Sequence, residues 1–171
     1  MRKILAIVTS ITVLGFMGPA KATEPGEGDI ALFMSNLSMP AYNIGYFIND
    51  DVMGYGSLAL TNDDDDSGIR FGAGARIYGA PGTSQHIRTY WNASLHHTTD
   101  GFRGGGTSLV SLMDMEDGGT DVTTLGGHFG AEFELAPRAT LGAQVGVEIN
   151  NTDDTTLISL GTADLNLNYY F

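Results

Sequence analysis

The chain has 171 residues, no cysteine and a formal net charge of −12, from 20 acidic against 8 basic side chains. That length suits a single domain, and without cysteine neither disulfides nor thiolate metal centres can form. Nucleic acid is excluded as a partner, because phosphate binding needs the clustered Lys and Arg that this composition lacks.

Residues 1–22 read MRKILAIVTSITVLGFMGPAKA. Arg2 and Lys3 give a positive start, Ile4 to Met17 an apolar run, and Ala20-Lys21-Ala22 a small-residue cleavage site. This is the pattern of a secretory signal peptide. The apolar run is about 14 residues, short of the roughly 20 that a spanning helix requires. The expected domain is therefore 23–171. It keeps Arg70, Arg76, Arg88, Arg103 and Arg138 against all 20 acids, with no lysine. No later stretch is long and apolar enough for a transmembrane helix.

From residue 29 onward the sequence runs with a period of two, the signature of strands with one apolar and one polar face. Weak alternation over 29–36, 41–49 and 52–61 predicts three strands. Over 68–79, Ile69, Phe71, Ala73, Ala75 and Ile77 alternate with Arg70, Gly72, Gly74, Arg76 and Tyr78. Over 86–96, Ile87, Thr89, Trp91, Ala93 and Leu95 alternate with His86, Arg88, Tyr90, Asn92, Ser94 and His96. The segment 123–135 sets Leu125, Phe129, Ala131, Phe133 and Leu135 against Thr124, Gly126, His128, Gly130, Glu132 and Glu134. Over 139–150, Ala139 to Ile149 alternate with Thr140, Gly142, Gln144, Gly146, Glu148 and Asn150. The last strand, 156–171, ends with Ala163, Leu165, Leu167, Tyr169 and Phe171 against Asp164, Asn166, Asn168 and Tyr170. Eight strands and no long helix are expected.

The connections also alternate. Asn49-Asp50-Asp51, Ala80 to Ser84 and Ala136-Pro137-Arg138 are tight turns. Between them lie Ser38-Met39-Pro40, the acidic run Asp63–Asp66, a long loop near 99–121 and the segment 150–154. An eight-stranded antiparallel up-and-down transmembrane β-barrel has this asymmetry. Ten residues at about 3.3 Å each, tilted about 40°, rise roughly 25 Å, the height of a lipid-facing band.

Alternation alone does not orient the faces, and a soluble lipocalin-like barrel would turn the apolar face inward around a ligand. Here the polar face mixes Gly72, Gly74, Gly126, Gly130, Gly142 and Gly146 with Arg and Glu. That mixture suits a narrow lumen that side chains fill. Tyr46, Phe133, Tyr169 and Phe171 sit near the strand ends of the apolar face, where an interfacial girdle belongs.

The tail ADLNLNYYF resembles the C-terminal strand of bacterial outer-membrane barrels. The segments 43–60 and 125–149 are similar to hairpins of the small OmpA/OmpX-like barrels of the porin family. The resemblance implies the outer membrane of a Gram-negative bacterium, with its lipid and lipopolysaccharide as surroundings, and a monomer. It also implies that Ala163, Leu165, Leu167, Tyr169 and Phe171 form the signal read by the barrel-assembly machinery.

For the lumen, the alternation gathers Arg70, Arg76 and Arg88 with Glu132, Glu134, Glu148 and Asp164. Unpaired buried charges are costly, so a paired network that fills the interior is expected. A gated ion path is the sharper alternative. Neither a catalytic site, a cofactor nor a metal centre is expected. Ser94 and His96 share a face without a third group to orient the base, and His96 and His97 point to opposite faces. The acidic loops suit divalent cations, or simply a hydrated surface. The segment TSLVSLMDME (107–116) is apolar for an exposed loop, and its contacts stay open. The leading function is a structural or cell-surface interaction role without catalysis. Alternatives are a narrow channel or small-solute porin, a lipid-modifying outer-membrane enzyme and a soluble ligand-binding barrel.

Overall fold

The computed structural model describes residues 25–35, 40–62, 67–79, 86–99 and 121–171. The expected signal peptide (1–22) and the expected tight turn (80–84) fall outside them, as do the Asp63–Asp66 run and the apolar segment 107–116. All regular structure among the described residues is strand: β1 (Ile30–Ser35), β2 (Ala41–Asn49), β3 (Val52–Asn62), β4 (Ser67–Tyr78), β5 (Ile87–Thr98), β6 (Val122–Ala136), β7 (Ala139–Asn151) and β8 (Thr156–Tyr170). Each strand pairs antiparallel with the next, and β8 closes on β1. The result is the eight-stranded up-and-down barrel expected from the alternation.

Local chemistry sets the turns. Ala136 pairs with Ala139, leaving Pro137 and Arg138 as a two-residue connection. The proline ring presets its own φ, and Arg138 then takes φ 69°, a left-handed value usually left to glycine. The Arg138 carbonyl accepts the Tyr170 N–H at 2.8 Å, which ties this turn to the last strand. At the β2–β3 turn the Asn49 side chain accepts the Asp51 N–H at 2.9 Å. Residues 28 and 29 continue the pairing below β1, with Gly28 N–H on the Phe47 carbonyl and Phe47 N–H on that of Asp29.

Burial is inverted relative to a soluble domain. Outward side chains are apolar and open, as with Ile44 at 65%, Leu60 at 66% and Val145 at 56% exposure. Inward side chains include many polar and charged groups that are covered, as with Arg76 at 2%, Glu132 at 1% and Asn166 at 0%, beside a small buried cluster containing Phe33, Phe47 and Met53. The apolar-inward arrangement of a lipocalin is therefore not the one adopted.

The lumen fills by pairing large residues against glycine. Gly130 lies opposite Tyr90, and a Cβ there would fall on the Tyr90 ring. Gly127 faces outward with nothing within 4 Å of such a Cβ. Overpacking a filled interior costs about 1–3 kcal/mol. Gly130→Leu is therefore expected to destabilise by that amount, while Gly127→Leu stays within about 0.5 kcal/mol, as open surface sites do. Urea unfolding of refolded protein checks both, and equal losses would contradict this packing.

Candidate functional site

The interior has two levels. At the short-turn end, Glu132 on β6 is enclosed by four donors from three strands, β4, β7 and β8. Its Oε1 accepts from Arg76 Nη1 at 2.8 Å and from the Tyr78 hydroxyl at 3.1 Å. Its Oε2 accepts from Thr140 Oγ1 at 3.1 Å and from the Tyr170 hydroxyl. A carboxylate has about four lone-pair sites, so this one is saturated. Arg76 on β4 also donates to Asn168 Oδ1 at 3.1 Å. Its guanidinium lies over the rings of Phe33 and Tyr90, 4.2 and 4.6 Å from their centroids. Phe47, Tyr78 and Tyr170 pack beside it, with centroids 5.6 Å apart for Phe47–Tyr78 and 5.9 Å for Phe47–Tyr170. Together these groups form a plug of one ion pair in an aromatic collar. Guanidinium–ring contacts of this kind are strongest when desolvated.

The other charged positions take different places. Arg88 faces Glu132 directly across the β5–β6 ladder. Because Glu132 is already saturated, Arg88 stacks on Tyr78 instead, 4.1 Å from the ring centroid, with Nη1 buried and unbonded among the described residues. Glu134 lies exposed at the rim, 3.8 Å from His86, because the strand has reached its turn by that residue. Glu148 lies higher in the lumen, 3.4 Å from His128. Asp164 accepts from Gln144 at 3.4 Å. Arg70 belongs to this upper level, where it lies opposite Ala59 of β3 and Thr98 of β5. The set gathered by alternation is thus divided by height along the barrel. Strand tilt separates residues that share a face but sit at different levels.

The upper level is polar and closely fitted. His128 Nε2 meets Thr162 Oγ1 at 3.1 Å, and Asn92 donates to Gln144 Oε1 at 3.4 Å. Ser94 and His96 do share the lumen face. His96 Nδ1 is buried without a hydrogen-bond partner among the described residues, so nothing orients it as a base. His128 puts both Thr162 and Glu148 on the same nitrogen, which is not the through-ring relay of a nucleophilic triad. Among the described residues, no three His, Asp or Glu side chains are grouped to hold a metal ion.

The aromatic collar is not evident from the alternation. Tyr78, Tyr90 and Tyr170 stand among polar residues on the inward face, and the weak alternation of β1 and β2 leaves Phe33 and Phe47 without a clear face. The phase of Phe47 is still available: it follows Asn43 and Gly45 at intervals of two, and all three turn inward. Arg76 and Glu132 are brought together on strands that are not neighbours, which no local pattern encodes.

No protein-family model matches the chain, and no curated protein matches it in sequence. In structure it is similar to the N-terminal β-barrel domain of OprF from Pseudomonas aeruginosa. That likeness has a TM-score of 0.53 and 20% identity, over 86% of this chain and 100% of that one. The outer-membrane protein Ail of Yersinia pestis, in phospholipid bilayer nanodiscs, has a TM-score of 0.43 and 15% identity, over 86% of this chain and 100% of that one. The first of these comparisons shows that the chain shares the β-barrel fold of that domain.

Proposed function

We propose that the chain is an integral β-barrel of the Gram-negative outer membrane with a structural or cell-surface interaction role and no reaction of its own. Inverted burial carries this proposal. An apolar band open all round the barrel is unfavourable in water and favourable in lipid, where a closed barrel also satisfies every backbone group. Residues 1–22 act as the export signal. The terminal Ala163, Leu165, Leu167, Tyr169 and Phe171 are the assembly signal. Lipid and lipopolysaccharide surround the protein as a monomer, and divalent cations at the acidic loops offset repulsion from lipopolysaccharide phosphates.

The saturated Arg76–Glu132 pair and its collar support a closed interior over a channel. Wild-type protein in planar bilayers is expected to show little or no steady conductance; large, stable openings would favour the channel. Sidedness is tested separately. Single cysteines at Ala73, Ala143 and Val145, all exposed on the outer face, should react with lipid-phase probes and resist aqueous maleimide. Efficient aqueous labelling at all three, or recovery of the protein in the soluble periplasm, would sink the membrane assignment.

A further inference from the structure

The closing seam of the barrel is its shortest described ladder. β1 meets β8 over Ala31–Ser35 against Asn166–Tyr170. By contrast, β3 and β4 are laddered from Val52–Asn62 to Ser67–Ile77. Short ladders open more readily than long ones. Yet the lumen side chains of this seam are tied to the far wall. On β8, Tyr170 donates to Glu132 on β6. Asn168 accepts from Arg76 on β4 at 3.1 Å, and Asn166 donates to the Tyr90 hydroxyl on β5 at 3.2 Å. On β1, Phe33 lies against the Arg76 guanidinium, 4.2 Å from ring centroid to Cζ. One buried cation thus holds both strands of the seam from inside.

We infer that the Arg76–Glu132 plug is the clasp of the β1–β8 seam, holding the first and last strands together by side-chain bonds across the lumen. This concerns closure of the wall, and it stands whether or not the lumen conducts.

Hydrogen exchange of the full chain in lipid nanodiscs, read by mass spectrometry, tests it in Arg76→Ala. The expected result is exchange faster by about 10-fold or more, as in sub-global opening, at 31–35 and 166–170, with the β3–β4 ladder unchanged. Arg76 itself stands on β4, so a merely local defect would loosen β4 first. Loosening centred on β4, or uniform across the barrel, would overturn the clasp. A second measurement uses the cysteine-free background. Met34→Cys with Leu167→Cys bridges the seam, and Leu58→Cys with Phe71→Cys bridges β3–β4. The seam bridge should restore most of the melting temperature lost in Arg76→Ala, and the β3–β4 bridge should not. Equal rescue by both, or none by the seam bridge, would refute the assignment. If Arg76→Ala does not fold, Tyr170→Phe, which removes one hydroxyl, carries the same comparison with smaller shifts.

Discussion

Arg76→Ala is expected to destabilise the barrel by about 3–5 kcal/mol, the usual cost of breaking a buried ion pair from one side. The loss comes mainly from what stays behind. Glu132 would be left without its cationic partner in a site closed to water, with the Tyr78, Tyr170 and Thr140 hydroxyls as its remaining donors. The collar would also lose the guanidinium that fills the space between Phe33 and Tyr90. Replacing both partners, as Arg76→Met with Glu132→Gln, should recover much of the loss, because no uncompensated charge is then left. The rim pair gives the contrast. His86→Ala removes a partner of Glu134 at 3.8 Å where both side chains are well exposed. Such pairs contribute at most about 1 kcal/mol. Denaturant unfolding, followed by the heat-modifiable gel shift, measures all of these. An Arg76→Ala barrel as stable as wild type would mean that water reaches the pair and the interior is open.

Phe171→Asp is expected to reduce assembled barrel in cells to a small fraction of wild type while leaving export across the inner membrane intact. The magnitude separates two explanations. In the folded barrel Phe171 makes one backbone bond, its N–H to the Ile30 carbonyl at 2.8 Å, and its ring meets Tyr169 at 5.0 Å between centroids. The substitution keeps that backbone bond. A carboxylate near the membrane interface costs about 0–1 kcal/mol or less. Protein refolded into detergent should therefore be nearly as stable as wild type. A large loss in cells together with a small loss in detergent identifies recognition during assembly. Wild-type yield in cells would remove the assembly role of the terminal pattern, and a large loss in detergent would assign Phe171 a structural one.

The strand pattern was legible because a barrel strand is read two residues at a time. Ile69 to Ile77 and Ala139 to Ile149 carry their facing in the local sequence, and the membrane-type barrel follows from that period, the turn chemistry and the inward Gly and Arg. Local pattern also explains why Gly130 is a glycine only once Tyr90 is known to lie across from it, since register is a relation between strands. What the alternation could not supply was height and cross-lumen distance. It placed Arg70, Arg76 and Arg88 on one side with Glu132, Glu134, Glu148 and Asp164 as though all could meet. Closure and tilt brought Arg76 to Glu132, left Arg88 stacked on Tyr78, carried Glu134 to the rim and set Glu148 beside His128. Period two fixes a side chain's face within its own strand, whereas partners across a lumen depend on the stagger accumulated around the whole ring. Strands, facing and barrel type are thus readable from local sequence, whereas which charges pair, and their enclosure by aromatic rings, depend on the closed ring of strands.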